Sequence, residues 1–186
     1  MKMTLYHASK NQGLRILLPR ESTHGAPYVY ATQSLAMALL FGAKKDDFDF
    51  LMDEENGRPR LYECYPDAFE QVYAHEFCSV YEVDGNLFAR HDAVWHAEYI
   101  AESPVPVLKE TKVFDLHGQL MEEISRGHLI LHRYRTNPEY KRKIANHIVD
   151  RLIRFEVLDG EIPQKLLDKF PLIIQQLEDI LTGRTL

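Results

Sequence analysis

Three side chains of different chemistry stand out in segments that the sequence pattern predicts as β-strands: His7, Tyr30 and Glu98. Two small residues follow His7, so the end of its strand can present an imidazole and backbone amides to a ligand. Taken singly, each residue also fits an ordinary place in a sheet, because tyrosines pack on sheet faces and strand glutamates usually face solvent. A site therefore requires elements that bring the three segments together.

The composition indicates a globular protein. The chain has 186 residues, of which 45% are hydrophobic and 27% charged, as in one compact domain, or one domain with a small helical appendage. A formal net charge of -6 argues against a surface built throughout to bind nucleic acid. The start resembles no secretory signal, and no stretch approaches the roughly eighteen apolar residues of a membrane span. We expect a cytoplasmic protein with no membrane partner.

The cysteines and histidines show no spacing typical of a metal site, so we predict no metal. Cys64 and Cys78 are expected to be buried thiols. The apolar run Leu129 to Leu131 favours a strand, so His128 and His132 would not share a helix face.

The first part of the chain predicts strands joined by a loop at residues 19 to 27, followed by a short helix. The helix is capped by Thr32 or Ser34, is rich in alanine and leucine, and can end at Gly42. The predicted strands are Met3 to Ser9, Leu14 to Leu18 and Tyr28 to Thr32, and the helix is Ser34 to Phe41.

Residues 44 to 60 are acidic and contain the turn signal Asn56-Gly57, which predicts a surface excursion or hairpin. The next part of the chain shows further β-like runs, of which the last has prolines typical of an edge or a bend. These runs are Leu61 to Tyr65, Cys78 to Val83, Val94 to Ala101 and Val105 to Phe114.

The tail changes to helical spacing. Asn137-Pro138 is a start signal for a helix from Glu139 to Phe155, and Pro163 opens a second helical run to Leu181, bent by Pro171. The predicted fold is an α+β body at residues 1–135, rich in strands and with short helices. A C-terminal helical hairpin at 136–186 would pack on the body or on a partner.

Four motifs in order along the chain resemble those of the ADP-ribosyltransferase fold, in its poly(ADP-ribose) polymerase and diphtheria-toxin branch. His7-Ala8-Ser9 is similar to that family's His-Gly-Ser. Tyr30 in Val-Tyr-Ala-Thr is similar to the tyrosine of the family's Gly-Ile-Tyr-Phe-Ala strand. Phe41 falls where the family has a second stacking aromatic, and Glu98-Tyr99-Ile100 resembles its Glu-Tyr-Ile. The resemblance spans roughly residues 3 to 115, and it implies that the β body is a split antiparallel sheet.

The resemblance implies NAD⁺ as substrate and gives each residue a role. Tyr30 and Phe41 would sandwich the nicotinamide ring. His7 and Ser9 would bind the adenosine ribose hydroxyls, and the backbone of Ala8 would hold the nicotinamide amide. Glu98 would stabilise the positive charge on the ribose as nicotinamide leaves. The implied catalytic residues are His7, Tyr30 and Glu98.

The chain departs from the family at two positions and offers rivals at two others. Ala8 replaces a glycine, and Ala38 stands where the polymerases use a serine hydroxyl on the nicotinamide amide. Strand alternation makes Glu102 a rival of Glu98, and Tyr28 a rival of Tyr30.

The segment Gly13 to Gly25 could form a lid over the dinucleotide. Its two arginines, Arg15 and Arg20, are either solvated or able to meet a phosphate.

Other functions stay open. RNA 2′-phosphotransferases share the NAD-using architecture and resolve a phosphate with arginine and histidine. A non-catalytic module of the same fold could use the basic segment 133–154 to bind nucleic acid or an acidic protein, although a solvated helix face explains that segment equally well. The match could also be a coincidence in an unrelated α+β domain. No motif identifies the acceptor of ADP-ribose, which could be a protein, a nucleic acid, a small molecule or water. The sequence likewise leaves the oligomeric state open.

Overall fold

The computed structural model describes residues 3–21, 27–46, 48–91, 97–154 and 168. Within these residues the chain is mixed α+β, as the sequence predicts, with antiparallel strand pairs in its larger sheet and mostly short helices. The strands are β1 Thr4–Ser9, β2 Ile16–Leu17, β3 Val29–Thr32, β4 Phe50–Glu55, β5 Arg58–Glu63, β6 Cys78–Asp84, β7 Glu98–Ala101, β8 Val105–Val113 and β9 Ile130–His132. The helices are α1 Leu35–Leu40, α2 Ala68–Tyr73, α3 Leu116–Ser125 and α4 Pro138–Arg154.

The larger sheet has six strands in the order β2-β8-β6-β1-β3-β7. Side chains alternate between its faces, so the apolar residues of neighbouring strands meet on one side. Leu5, Val29, Ala31, Tyr81 and Val83 form the centre of that core and are at most 4% exposed. Their burial positions β1 and β3, the two strands that carry His7 and Tyr30.

The predicted hairpin at residues 44 to 60 is confirmed as β4 and β5, joined by Asn56 and Gly57. Both turn residues have positive φ, 53° and 78°, which the primed turns of tight hairpins require. These strands and β9 form a second sheet in the order β4-β5-β9. The strand predicted at Leu129 to Leu131 is therefore confirmed within one residue.

Helix α1 begins as the sequence predicts. The Ser34 hydroxyl accepts a hydrogen bond from the Met37 amide at 3.2 Å, which is the usual N-cap contact. The helix ends at Leu40, with Phe41 as its C-cap. Gly42 allows a close approach, because a Cβ atom there would lie 2.7 Å from the Cys78 sulfur.

Contacts group the chain into two compact units. The first contains Met1–Lys45, Asp53–Arg60 and Phe69–Leu131, and the second contains Asp46–Met52, Leu61–Ala68 and His132–Leu186. The boundary predicted at 135 stays a prediction.

Within the second unit, α4 buries the apolar positions that the sequence marks at helical spacing. Tyr140, Ile144, Ile148 and Leu152 are at most 8% exposed and share a core with Tyr62 and others. The helix predicted at Glu139 to Phe155 is thus confirmed as far as Arg154. The second tail helix, at residues 163 to 181, falls almost wholly outside the described residues, as does the start of the strand predicted from Val94.

Helices α2 and α3 are not predicted individually from the sequence. Both are short, and α3 starts with the Asp115 carboxylate accepting from the Gly118 amide at 2.9 Å. No helix among the described residues is long and apolar enough to span a membrane.

Candidate functional site

His7, Tyr30 and Glu98 lie on three neighbouring strands, β1, β3 and β7, as the order in the larger sheet requires. Tyr30 is opposite Ile100, and Thr32 is opposite Glu98. Tyr30 and Glu98 are therefore diagonal neighbours on one face of the sheet, a relation that typically separates Cα atoms by about 7–8 Å.

Strands β1 and β3 pair at a single position, Tyr6 opposite Thr32, whereas β1 pairs with β6 along its whole length. Beyond that position the imidazole Nδ1 of His7 lies 2.7 Å from the carbonyl oxygen of Tyr30. The His7 side chain thus takes the Tyr30 carbonyl oxygen, which backbone pairing between β1 and β3 would otherwise use. Between this point and Ser9 on β1 and Val29 on β3, the two strands show no further paired residues.

A cleft of about 400 Å³ is lined by residues of β1 and β3, and we call it the His7 pocket. This volume lies within the range of small-molecule sites, about 300–1,000 Å³. Its wall includes all five residues predicted to bind a cofactor, His7, Ala8, Ser9, Tyr30 and Phe41. Residues from β1, β3 and the end of α1, which are separated along the chain, thus meet at one cavity.

His7 is neutral at pH 7. Burial lowers the pKa of its imidazole below the ordinary 6.5, and the charge of Arg20 lowers it further, while the hydrogen bond to Tyr30 opposes both. A carbonyl oxygen can only accept, so Nδ1 carries the proton and donates to Tyr30. The other ring nitrogen, Nε2, is then an acceptor suited to a ligand hydroxyl.

The aromatic residues of the pocket are Tyr28, Tyr30 and Phe41. The two tyrosine rings meet edge to face, with centroids 5.9 Å apart, so the structure places both rivals at the same cavity. Phe41 is 42% exposed, and the ammonium of Lys45 lies 3.7 Å from the centre of its ring. A large apolar ring that is this exposed offers contact area to a ligand.

Glu98 does not line the pocket, although it is half-buried on the strand next to Tyr30. His7 faces the other side of the sheet, since it lies opposite Tyr81 and their ring centroids are 6.4 Å apart. The structure thus brings His7 and Tyr30 to one cavity and leaves the Glu98 carboxylate beside it. The rival Glu102 is exposed and lies just beyond the end of β7.

The pocket wall contains more positive than negative charge, with Lys10, Arg20 and Lys44 against Glu21. Lys10 forms an ion pair with Glu76. Of the two arginines in the candidate lid, Arg20 lines the pocket, whereas Arg15 is exposed and does not.

Sequence reasoning missed the apolar side of the pocket, which includes Leu14 and the run Ile16 to Leu18. Ile16 and Leu18 are 53% and 60% exposed. The signal was present as an apolar run closed by Pro19, but a strand of this kind ordinarily faces a core.

Ala38, which replaces a serine in the resemblance, is 2% exposed and is not part of the pocket wall. The described residues contain no group of three or more histidine, cysteine, aspartate or glutamate side chains arranged to hold a metal ion. Both cysteines are buried, and burial raises the pKa of the Cys78 thiol to about 11. Comparisons of the chain with known protein families, with curated proteins and with solved structures found no match.

Proposed function

We propose that this protein is an ADP-ribosyltransferase that binds NAD⁺ in the His7 pocket and cleaves the bond between nicotinamide and ribose. The observation that supports this most is the convergence of His7, Ala8, Ser9, Tyr30 and Phe41 on one cavity. The five residues belong to three segments of the chain, and only the folding of the chain brings these segments to one cavity.

The nicotinamide ring binds at the aromatic end of the pocket, against Tyr30 and Phe41. Aromatic faces attract cations, so the positive pyridinium suits this position. Lys45 already lies over one face of Phe41. The ligand ring therefore stacks on the opposite face or displaces the Lys45 ammonium.

The adenosine half of NAD⁺ binds toward His7 and Ser9. Neutral His7 accepts a hydrogen bond from a ribose hydroxyl at Nε2, since Nδ1 donates to Tyr30. The Ser9 hydroxyl already accepts from the Asn11 amide at 3.2 Å, and its own proton remains available to donate. Arg20 and Lys44 supply positive charge for the pyrophosphate between the two halves.

Glu98 stabilises the positive charge that develops on the ribose as nicotinamide leaves. Its place diagonal to Tyr30, on the same face of the sheet, keeps the carboxylate close to the ring that holds nicotinamide. Removing a preorganised electrostatic group of this kind typically costs about 10²–10³ in rate.

The test is incubation with NAD⁺ labelled in the adenine ring, comparing wild type with Glu98→Gln. The matched control is Glu102→Gln, an exposed acid four residues along the chain. We expect label transfer or free ADP-ribose from wild type and from the control, and about 10²–10³ less from Glu98→Gln. Equal signals from all three proteins would reject Glu98, and a loss confined to Glu102→Gln would assign the acid to Glu102.

A non-catalytic NAD-binding module is the second candidate, and the position of Glu98 outside the pocket wall favours it. Calorimetric binding of NAD⁺ without nicotinamide release would support this module over the enzyme. Nicotinamide release that requires a 2′-phosphorylated RNA would instead support a phosphotransferase. Absence of NAD⁺ binding to wild type would remove all three.

A further inference from the structure

Glu110 in β8 accepts two hydrogen bonds on one carboxylate oxygen. Its Oε1 accepts from the Gly13 amide at 2.8 Å and from the Ser79 hydroxyl at 2.6 Å. The Tyr81 hydroxyl oxygen lies 3.2 Å from the same atom. Gly13 and Glu110 are 97 residues apart in sequence. The carboxylate therefore connects the segment after β1 to the middle of the larger sheet.

Tyr81 forms hydrogen bonds to the same segment, residues 11–14. Its hydroxyl is 2.6 Å from the Asn11 carbonyl oxygen, to which it donates, and it accepts from the Leu14 amide at 3.3 Å. Together with the Gly13 amide, three backbone groups of residues 11–14 are held by Tyr81 and Glu110. The Tyr81 side chain is fully buried, so this anchor is itself fixed.

The anchored segment forms part of the wall of the His7 pocket. The Leu14 side chain lines the cavity and packs against the core of the larger sheet, while Lys10 and Ile16 line the cavity on either side of the segment. Glu110 does not line the cavity. The hydrogen bond from Gly13 to Glu110 thus connects the carboxylate to the cavity wall through the backbone of residues 11–14.

The acceptor is a charged one at neutral pH. The hydrogen bond from the Gly13 amide, followed by that from Ser79, holds the pKa of Glu110 below its ordinary 4.5. Hydrogen bonds to a charged acceptor are stronger than those between neutral groups. Gly13 has φ of 72°, a backbone conformation that favours glycine, and this directs its amide at the carboxylate.

We propose that Glu110 is a positioning residue of the His7 pocket, which holds residues 11–14 so that Leu14 keeps its place in the ligand-binding wall. The part that concerns the ligand rests on the proposed binding of NAD⁺. The part that concerns the segment is independent of any ligand.

The first measurement is amide hydrogen exchange of Gly13 and Leu14 in the full-length protein without ligand. Glu110→Ala removes the acceptor, so we expect exchange at these amides to rise by up to about 10-fold, the lower end for a hydrogen bond to a charged group, because this bond is exposed to solvent. Glu110→Gln keeps an amide oxygen as a neutral acceptor, so we expect it to restore part of the protection. Unchanged exchange in Glu110→Ala would overturn the proposal.

The second measurement is the affinity for NAD⁺ by calorimetry, with Glu82→Ala as the matched control. Glu82 lies on the neighbouring strand, where its carboxylate accepts from the Lys109 ammonium at 2.8 Å. We expect the dissociation constant to rise in Glu110→Ala, to recover partly in Glu110→Gln and to stay unchanged in the control. Faster exchange with unchanged affinity would overturn the positioning role. If wild type binds no NAD⁺, the proposed function fails, and the exchange rates alone decide whether Glu110 holds the segment.

Discussion

At the scale of single residues, His7 has a structural role and, in our proposal, a chemical one. Its Nδ1–H donates a hydrogen bond to the Tyr30 carbonyl oxygen where the pairing of β1 with β3 stops, and its Nε2 would accept from a ligand hydroxyl. This arrangement needs the neutral ring, which burial favours. A protonated His7 would keep the bond to Tyr30 and lose the acceptor.

The lowered pKa of His7 predicts that the free energy of unfolding depends on pH. Well above pH 6.5 the ring is neutral in both the folded and the unfolded chain, so its contribution to the free energy of unfolding is constant. As the pH falls below 6.5, the unfolded chain takes up the proton first, and the free energy of unfolding decreases until the folded-state pKa is reached.

We expect His7→Gln to remove this part of the pH dependence. Chemical denaturation at a series of pH values between roughly 4 and 8 would measure it, with slopes compared between variant and wild type. Equal slopes below pH 6.5 would contradict the lowered pKa.

At the scale of elements, the pocket depends on where α1 begins. The N-cap at Ser34 fixes the turn between β3 and α1, and the helix then places Phe41 at the cavity. An isolated helix of six residues is too short to be stable by itself, so the cap and the burial of Ala36, Met37 and Leu39 maintain it.

Ser34→Ala should lower the free energy of unfolding by about 1 kcal/mol, because the Met37 amide loses its acceptor. Ser125→Ala is the control, since that hydroxyl donates to the Glu122 carbonyl on the exposed end of α3 and should contribute less than about 0.5 kcal/mol. Denaturant unfolding compares the two variants. Equal losses would show that Ser34 is not an effective cap.

At the scale of the whole molecule, the basic segment 133–154 contributes to the second unit. Arg133 contacts the buried carboxylate of Glu63 at 3.2 Å, and the Lys143 ammonium lies 3.6 Å from the centre of the Tyr62 ring. Two of the basic side chains in this segment therefore have structural contacts within the second unit. Binding of this segment to nucleic acid or to an acidic partner stays a prediction, which the salt dependence of association would test.

We expect a substitution in the core of the second unit to lower the free energy of unfolding without changing ligand binding. Ile148 is fully buried, so Ile148→Ala should lower the free energy of unfolding by about 2–5 kcal/mol. Asn146→Ala, on the exposed side of α4, should change it by less than about 0.5 kcal/mol. All residues of the His7 pocket belong to the first unit, so we expect NAD⁺ affinity to be unchanged in both variants under conditions where they are folded. A weaker affinity in Ile148→Ala alone would contradict this expectation.

The sequence by itself determined most of the local structure, because strand alternation, the Ser34 cap, the Asn56-Gly57 turn and the helical spacing from Tyr140 to Leu152 each depend on residues close together in the chain. Through the family resemblance it also marked five residues that line the His7 pocket, although it missed the apolar side of that pocket. Helices α2 and α3 escaped prediction because their periodicity extends over too few residues.

Only the tertiary structure decided how those residues are placed. Strand order and register put Glu98 diagonal to Tyr30 but outside the cavity wall, and put His7 on the opposite face. Register and strand order depend on partners far apart in sequence, and a shift of one residue would move every side chain to the other face. The same reason explains why no local pattern could reveal Glu110 as the anchor of Gly13, because this contact joins residues that are 97 positions apart in sequence.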